Sequence, residues 1–265
     1  MTEAHPYLTG PFPRALVHRG WQLDELTGME NSLSSFRRAL DEGFRYLEID
    51  VHATSDGVVV VSHDSTLDRT TDGVGPIAAQ TWEQVRRARI AGREPVVTLR
   101  EVIESLPDAL LNIDVKADPA VEPTLRLLDS TDAWHRVCLA SFSATRLTRL
   151  RAAAGPKLIT SCSPRDAVAL RTRGWLRQAR LRPLGSRLPV MAQLAQLPRR
   201  HGRLTVVDPS LVAEAHALGM EVHVWTINDS AQMRELLDMG VDGLVTDRPD
   251  MLRDVLADRG EWPGR

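Results

Sequence analysis

Cysteine is scarce: Cys138 and Cys162 are the only two in 265 residues, too few for a disulfide framework. Both fall within or at the end of strand-like segments and are read as reduced packing residues. Long apolar runs are missing too. The longest are strand-sized, which excludes a helical bilayer span. Met1 to Pro13 is polar, carries prolines and lacks the charged-then-apolar order of an export signal, so a cytoplasmic protein is expected. Net charge is also small. A value of −2 argues against nucleic acid as a partner. The rest is ordinary for a globular chain, 43% hydrophobic and 26% charged, and nothing demands a second domain. Residues 1–265 are read as one domain of a size that α/β barrels commonly have.

The most informative stretch runs from Phe44 to Thr71. Tyr46, Glu48 and Asp50 alternate with Leu47, Ile49 and Val51, the period of two that marks a strand, so two carboxylates share one face. Neighbouring carboxylates repel, and both stay ionised where a cation lies between them, typically a divalent metal that favours oxygen ligands. A second apolar run, Val58 to Val61, delivers His63 and Asp64 at its end. Acid pair, turn, strand and histidine read together as a metal site beside a proton-transfer group. The competing account is a pair of solvated carboxylates on an edge strand with a loop histidine. His52 is read as pointing to the opposite face and is left out of the site.

Along the whole chain, strand and helix patterns alternate about eight times, which predicts a (β/α)₈ barrel, with a small inserted subdomain after the second strand at about 56–95. Thr81 with Gln84, and Thr98 with Glu101, have the spacing of helix-opening caps. The least legible part is Trp175 to His201; the sixth strand is expected near Val190 to Gln196, with Leu204 to Val207 as the alternative. Ten arginines (165, 171, 173, 177, 180, 182, 187, 199, 200 and 203) fall between Arg165 and Arg203 against one acid, Asp166. They are read as a solvated helix face on the surface, with an anionic-substrate or membrane patch as the second reading. In a barrel the site forms at the C-terminal ends of the strands. His18, Glu48 with Asp50, Asp114 with Lys116, and Trp225 all fall at or near such ends.

These residues also form an ordered series of motifs. His18-Arg19-Gly20, Glu30-Asn31, Glu48-x-Asp50, Thr54-x-Asp56-Gly57, His63-Asp64, Leu67-Asp68-Arg69, Asn112-x-Asp114-x-Lys116, Val224 to Asn228 and Gly240 to Pro249 resemble the glycerophosphodiester phosphodiesterase family from about residue 15 to 251. The resemblance implies a barrel with an insertion, and hydrolysis of a glycerophosphodiester to glycerol 3-phosphate and an alcohol, dependent on one divalent cation, Mg²⁺ or Ca²⁺. It further implies that Glu48 and Asp50 bind the metal, that His18 and His63 exchange protons, and that Arg19 and Lys116 hold phosphate. The family's third carboxylate is usually glutamate, whereas this chain has Asp114, which is expected to complete the metal site. Trp225 is assigned to the rim as a substrate contact, and His223 to the barrel interior. The alternatives kept beside this reading are a lysophospholipase D-like activity, with Trp175 to Leu197 as the lipid contact, and a non-catalytic anion-binding barrel.

Overall fold

Alternating apolar residues build the strands here, and polar caps at the loops between them start the helices. The computed structural model describes residues 5–185 and 187–263. The chain runs β1 (Arg14–His18), α1 (Leu33–Asp41), β2 (Tyr46–Ala53), β3 (Val59–Val61), α2 (Leu99–Ser105), β4 (Leu110–Val115), α3 (Val121–Thr131) and β5 (Val137–Ala140). It continues through α4 (Ala144–Ala154), β6 (Ile159–Thr160), α5 (Pro164–Gln178), β7 (Leu194–Pro198), α6 (Pro209–Ala217), β8 (Glu221–Trp225), α7 (Ser230–Asp238), β9 (Gly243–Thr246) and α8 (Pro249–Asp258). All strands but β3 are parallel, in the order β6-β5-β4-β2-β1-β9-β8-β7. A parallel bridge from Ser161 to Leu194, with the Cys162 N–H donating to Leu194 O at 2.9 Å, brings the two ends together. The result is the expected (β/α)₈ barrel.

Helix starts follow from the caps. The side chains of Ser32, Thr98, Ser143, Ser163, Asp208 and Asp229 each accept the backbone N–H three residues on, each cap contributing about 1 kcal/mol. All six lie in loops that leave the C-terminal ends of strands or in the segment leading to α2, so helix register is set close to the rim. Inside the barrel, Leu16, Tyr46, Cys138, Ile159, Leu194 and Val245 pack around Tyr7 from the N-terminal segment. The other strand face, including Leu47, Ile49, Ile113, Leu139, Val222 and Leu244, packs against the helices. Each large apolar side chain so buried contributes roughly 1.5–3 kcal/mol. Both cysteines are buried and free, as their strand-like contexts suggested.

The floor of the barrel is polar. Arg14, 5% exposed, donates to both oxygens of Glu221 at 3.0 and 2.8 Å and to the carbonyls of Leu8, Gly10 and Pro11, which ties down the N-terminal segment. Gly243 lies in register with Arg14 and His223, and a Cβ there would stand 2.9 Å from Arg14 O, so the three strands approach this closely only with glycine at that position. His223 is fully buried between Gln196 and Glu221, the interior role expected for it. Burial alone would raise the Glu221 carboxyl, but His223 and Arg14 hold it at about 2. A carboxyl depressed on folding contributes stability above its unfolded pKa, and that contribution is lost as the pH falls through the folded one. Glu221→Gln is therefore expected to cost about 3 kcal/mol at pH 7. In denaturant unfolding, the gap from wild type should close between about pH 4.5 and pH 2. A gap that is constant with pH would contradict the ion-pair account.

After β2 the chain leaves the alternation, as expected. β3 pairs antiparallel with the end of β2, and the residues that follow gather Leu67, Ile77, Val85, Ala88, Ile90 and Val96 into a small cluster of their own with Met29 and Val60. The sixth barrel strand along the chain, β7, overlaps the preferred Val190–Gln196 assignment; the alternative at Leu204 became half of a two-residue hairpin with Arg200–His201. The arginine run is only partly a solvated face. Arg171, 4% exposed, pairs with Asp208 at 2.8 Å, and Arg173 and Arg177 converge on Glu214, so these three join α5 to α6. Arg165, Arg180, Arg187, Arg200 and Arg203 are exposed; the Arg182 side chain lies outside the described residues. Among the described residues no helix is long and apolar enough to cross a membrane.

Candidate active site

Barrel register brings the separated motifs together. His18 is in register with Glu48 and Glu48 with Asn112; one layer nearer the rim, Asp50 is in register with Asp114. Lys116 follows β4 directly, and it is one of only two lysines in the chain, the other cations being arginines. Its Nζ lies 2.8 Å from Asp50 Oδ1 and 2.8 Å from Asp114 Oδ2. Just past β1, Arg19 and Gly20 take left-handed conformations, and a side chain at Gly20 would collide with Ser35 of α1. This tight turn aims Arg19 back into the barrel, where Nε is 3.3 Å from Asp50 Oδ2. The same oxygen accepts from Asn31 Nδ2 at 3.2 Å.

The two histidines are held alike. His18 Nδ1 lies 2.5 Å from Asp247 Oδ1, and His63 Nδ1 lies 2.6 Å from Asp64 Oδ1. A carboxylate only accepts, so each Nδ1 carries the proton and donates, which leaves Nε2 to exchange protons with a bound molecule. Asp247 is itself oriented by Asn228, whose Nδ2 donates to Oδ2 at 2.8 Å. The Nε2 of His18 faces Glu48 Oε2 at 3.7 Å. Burial pulls His18 down, yet the bond to Asp247 and the charge of Glu48 outweigh it and leave the imidazole above its ordinary pKa.

Charge in the cluster is uneven. Burial and the neighbouring Asp50 push Glu48 up to about 8. Asp50 moves the other way: burial would raise it, but Lys116 and Arg19 hold it below the usual carboxylate range. Burial keeps Asp114 raised even against Lys116. Glu48 Oε2, Asp114 Oδ1 and Asn112 Oδ1 are buried without a hydrogen-bond partner. Oxygen atoms of this kind, on adjacent strands and short of positive charge, suit a hard divalent cation. The Lys116 ammonium bridges Asp50 and Asp114, and among the described residues no three acidic, histidine or cysteine side chains are already closed around an ion position.

Trp225, at the end of β8, packs edge-to-face on Phe142 with ring centroids 5.7 Å apart, and Lys116 Nζ lies 5.8 Å over the Phe142 ring. The two aromatics span the mouth from β8 to the loop after β5. Phe142 carried no assignment from the sequence. Asp247 was present only as part of a motif. His52 requires correction: it has the same parity as Glu48 and Asp50, so the pleat puts it on their side, and its Nε2 donates to His63 O at 3.2 Å.

A parallel barrel whose rim joins carboxylates, cationic side chains and two carboxylate-braced histidines defines the class, an α/β-barrel with its titratable groups gathered at one end of the strands. Comparison with known proteins makes this specific. The model of the glycerophosphoryl diester phosphodiesterase family matches residues 18–251, and the chain belongs to that family. It is an enzyme, a phosphoric diester hydrolase. It is 40% identical over 255 residues to a Mycobacterium tuberculosis protein named probable glycerophosphodiester phosphodiesterase 2, covering 94% of this chain and 93% of that one. A candidate glycerophosphoryl diester phosphodiesterase of Silicibacter pomeroyi superposes with a TM-score of 0.78 at 25% identity, covering 97% of this chain and 99% of that one. An Oleispira antarctica phosphodiesterase, solved in complex with the product sn-glycerol-3-phosphate, shares the fold at a TM-score of 0.72 and 23% identity, over 93% of this chain and 97% of that one.

Proposed function

We propose that the enzyme hydrolyses glycerophosphodiesters to glycerol 3-phosphate and an alcohol, and that it needs one divalent cation, Mg²⁺ or Ca²⁺, held by Glu48, Asp50 and Asp114. The observation that carries the reading is the pair of histidines, each braced at Nδ1 by a carboxylate, together with an acidic cluster in which Glu48 and Asp114 keep buried oxygens without a hydrogen-bond partner. When bound, the cation supplies Lewis acidity that neutralises charge on the phosphoryl oxygens. Arg19 offers a fork and Lys116 a point charge to the same oxygens. One of His18 and His63 takes a proton of the attacking water as its oxygen bonds to phosphorus; the other gives a proton to the departing alkoxide as the ester P–O bond breaks. Trp225 covers the apolar side of the substrate at the mouth.

Nothing in the geometry favours the lipid-surface alternative over this reading. Its segment is divided: α5 starts at the loop after β6 and runs back along the barrel, so Trp175 lies about 16 Å along the helix from its rim end, whereas the exposed Met191 donates its N–H to Asp166 at that end. The experiment is a panel of glycerophosphocholine, glycerophosphoethanolamine and glycerophosphoglycerol beside lysophosphatidylcholine, each with added Mg²⁺ or Ca²⁺, following glycerol 3-phosphate. The glycerophosphodiesters are expected to exceed the lysolipid in kcat/KM by about tenfold or more. Preference for the lysolipid would overturn the reading.

A further inference from the structure

Arg69 stands in the insertion, on no barrel strand, yet its guanidinium joins two carboxylates that serve different parts of the site. Nε and Nη2 donate to Asp64 Oδ2 and Oδ1 at 2.5 and 3.2 Å, while Nη1 and Nη2 donate to Glu30 Oε2 and Oε1 at 2.9 and 2.7 Å. Asp64 accepts from His63 Nδ1 at 2.6 Å, and Glu30 lies 3.5 Å from Arg19 Nη1. We propose that Arg69 is a positioning residue that sets the His63 ring through Asp64 and the Arg19 guanidinium through Glu30, coupling the insertion to both. The inference rests on the reading of His63 as a proton-exchanging group.

Geometry favours orientation over stability as its role. Arg69 is half exposed, and an ion pair in water contributes little to folding. What it does provide is direction, because a planar fork fixes the plane of each carboxylate it grips, which a lysine ammonium does not. Without it, Glu30 and Asp64 would face each other as like charges, and Asp64 would be free to turn from His63. The backbone of His63 is held separately by His52, so losing Arg69 releases the ring's partner and leaves the loop anchored.

The test uses Arg69→Ala, Arg69→Lys, His63→Ala and the double variant Arg69→Ala/His63→Ala, assayed on glycerophosphocholine with the divalent ion present. Arg69→Ala is expected to lower kcat about tenfold or more and to raise KM several-fold, with an unchanged melting temperature. Arg69→Lys should recover part of the KM and little of kcat. In the His63→Ala background, Arg69→Ala should change kcat by no more than about twofold, because the group it orients is gone. The same loss in both backgrounds, or wild-type kinetics in Arg69→Ala beside an inactive His63→Ala, would overturn the proposal alone. Full turnover by His63→Ala would overturn the reading of the site and the proposal with it. Should Arg69→Ala not fold, the same comparison is made with Arg69→Lys.

Discussion

His18→Ala and His63→Ala are each expected to lower kcat by about 10²-fold or more on a glycerophosphodiester, with melting temperatures close to wild type. The size follows from geometry: both rings are braced at Nδ1 by a carboxylate, so each presents Nε2 in a fixed direction, and removing one deletes a proton-transfer group rather than a packing element. The two variants should differ in detail. His18 is partly buried and touches Asp247 and the Glu48 side of the cluster, whereas His63 sits on a loop edge and touches Asp64. His18→Ala therefore also removes the imidazole that faces Glu48 and is expected to alter divalent-ion affinity, which His63→Ala should spare. Stopped assays of kcat and KM, with thermal melts of the same preparations, check this. A His63 variant that cannot fold would make that residue structural and remove it from the proposed chemistry.

Much of this arrangement could be read locally and some could not. Glu48 and Asp50 were legible because strand parity is a local property, and the cap at Thr98 because a hydroxyl three residues before an acid is a local pattern. Asp247 was a motif residue without a role, since only barrel register carries it across 229 residues of sequence to His18. Phe142 follows a strand end with no periodic signature, and its partner Trp225 comes from the far side of the mouth. The arginines of α5 looked solvated because the acids that take them, Asp208 and Glu214, lie at the start of and within another helix. His52 was legible and misread: β2 continues to Ala53, so the parity that pairs Glu48 with Asp50 includes it.

Asp114→Asn is expected to weaken divalent-ion binding in calorimetry and to collapse turnover. Its strand register with Asp50 and its unpartnered, buried Oδ1 make it the natural third carboxylate, although its other oxygen is held by Lys116. The amide keeps the shape and removes the charge. Burial already pushes this carboxyl up, so its ionised form is costly unless a cation offsets it. In chelator, stability should therefore change by only about 1 kcal/mol, since Lys116 retains Asp50 as partner. With the ion at about 100 times its Kd, the wild type should gain about 2.7 kcal/mol of stability and Asp114→Asn distinctly less. Equal stabilisation of both proteins would mean that Asp114 is not a ligand and that Glu48 and Asp50 bind the ion without it.

The most direct test is phosphorus NMR of glycerophosphocholine incubated with the enzyme, first with a divalent ion and then with chelator. The diester resonance should give way to that of glycerol 3-phosphate when Mg²⁺ or Ca²⁺ is present and remain unchanged in chelator. Undiminished conversion in chelator, or phosphocholine as the phosphorus-bearing product, would contradict a cation-dependent glycerophosphodiester hydrolase at this rim.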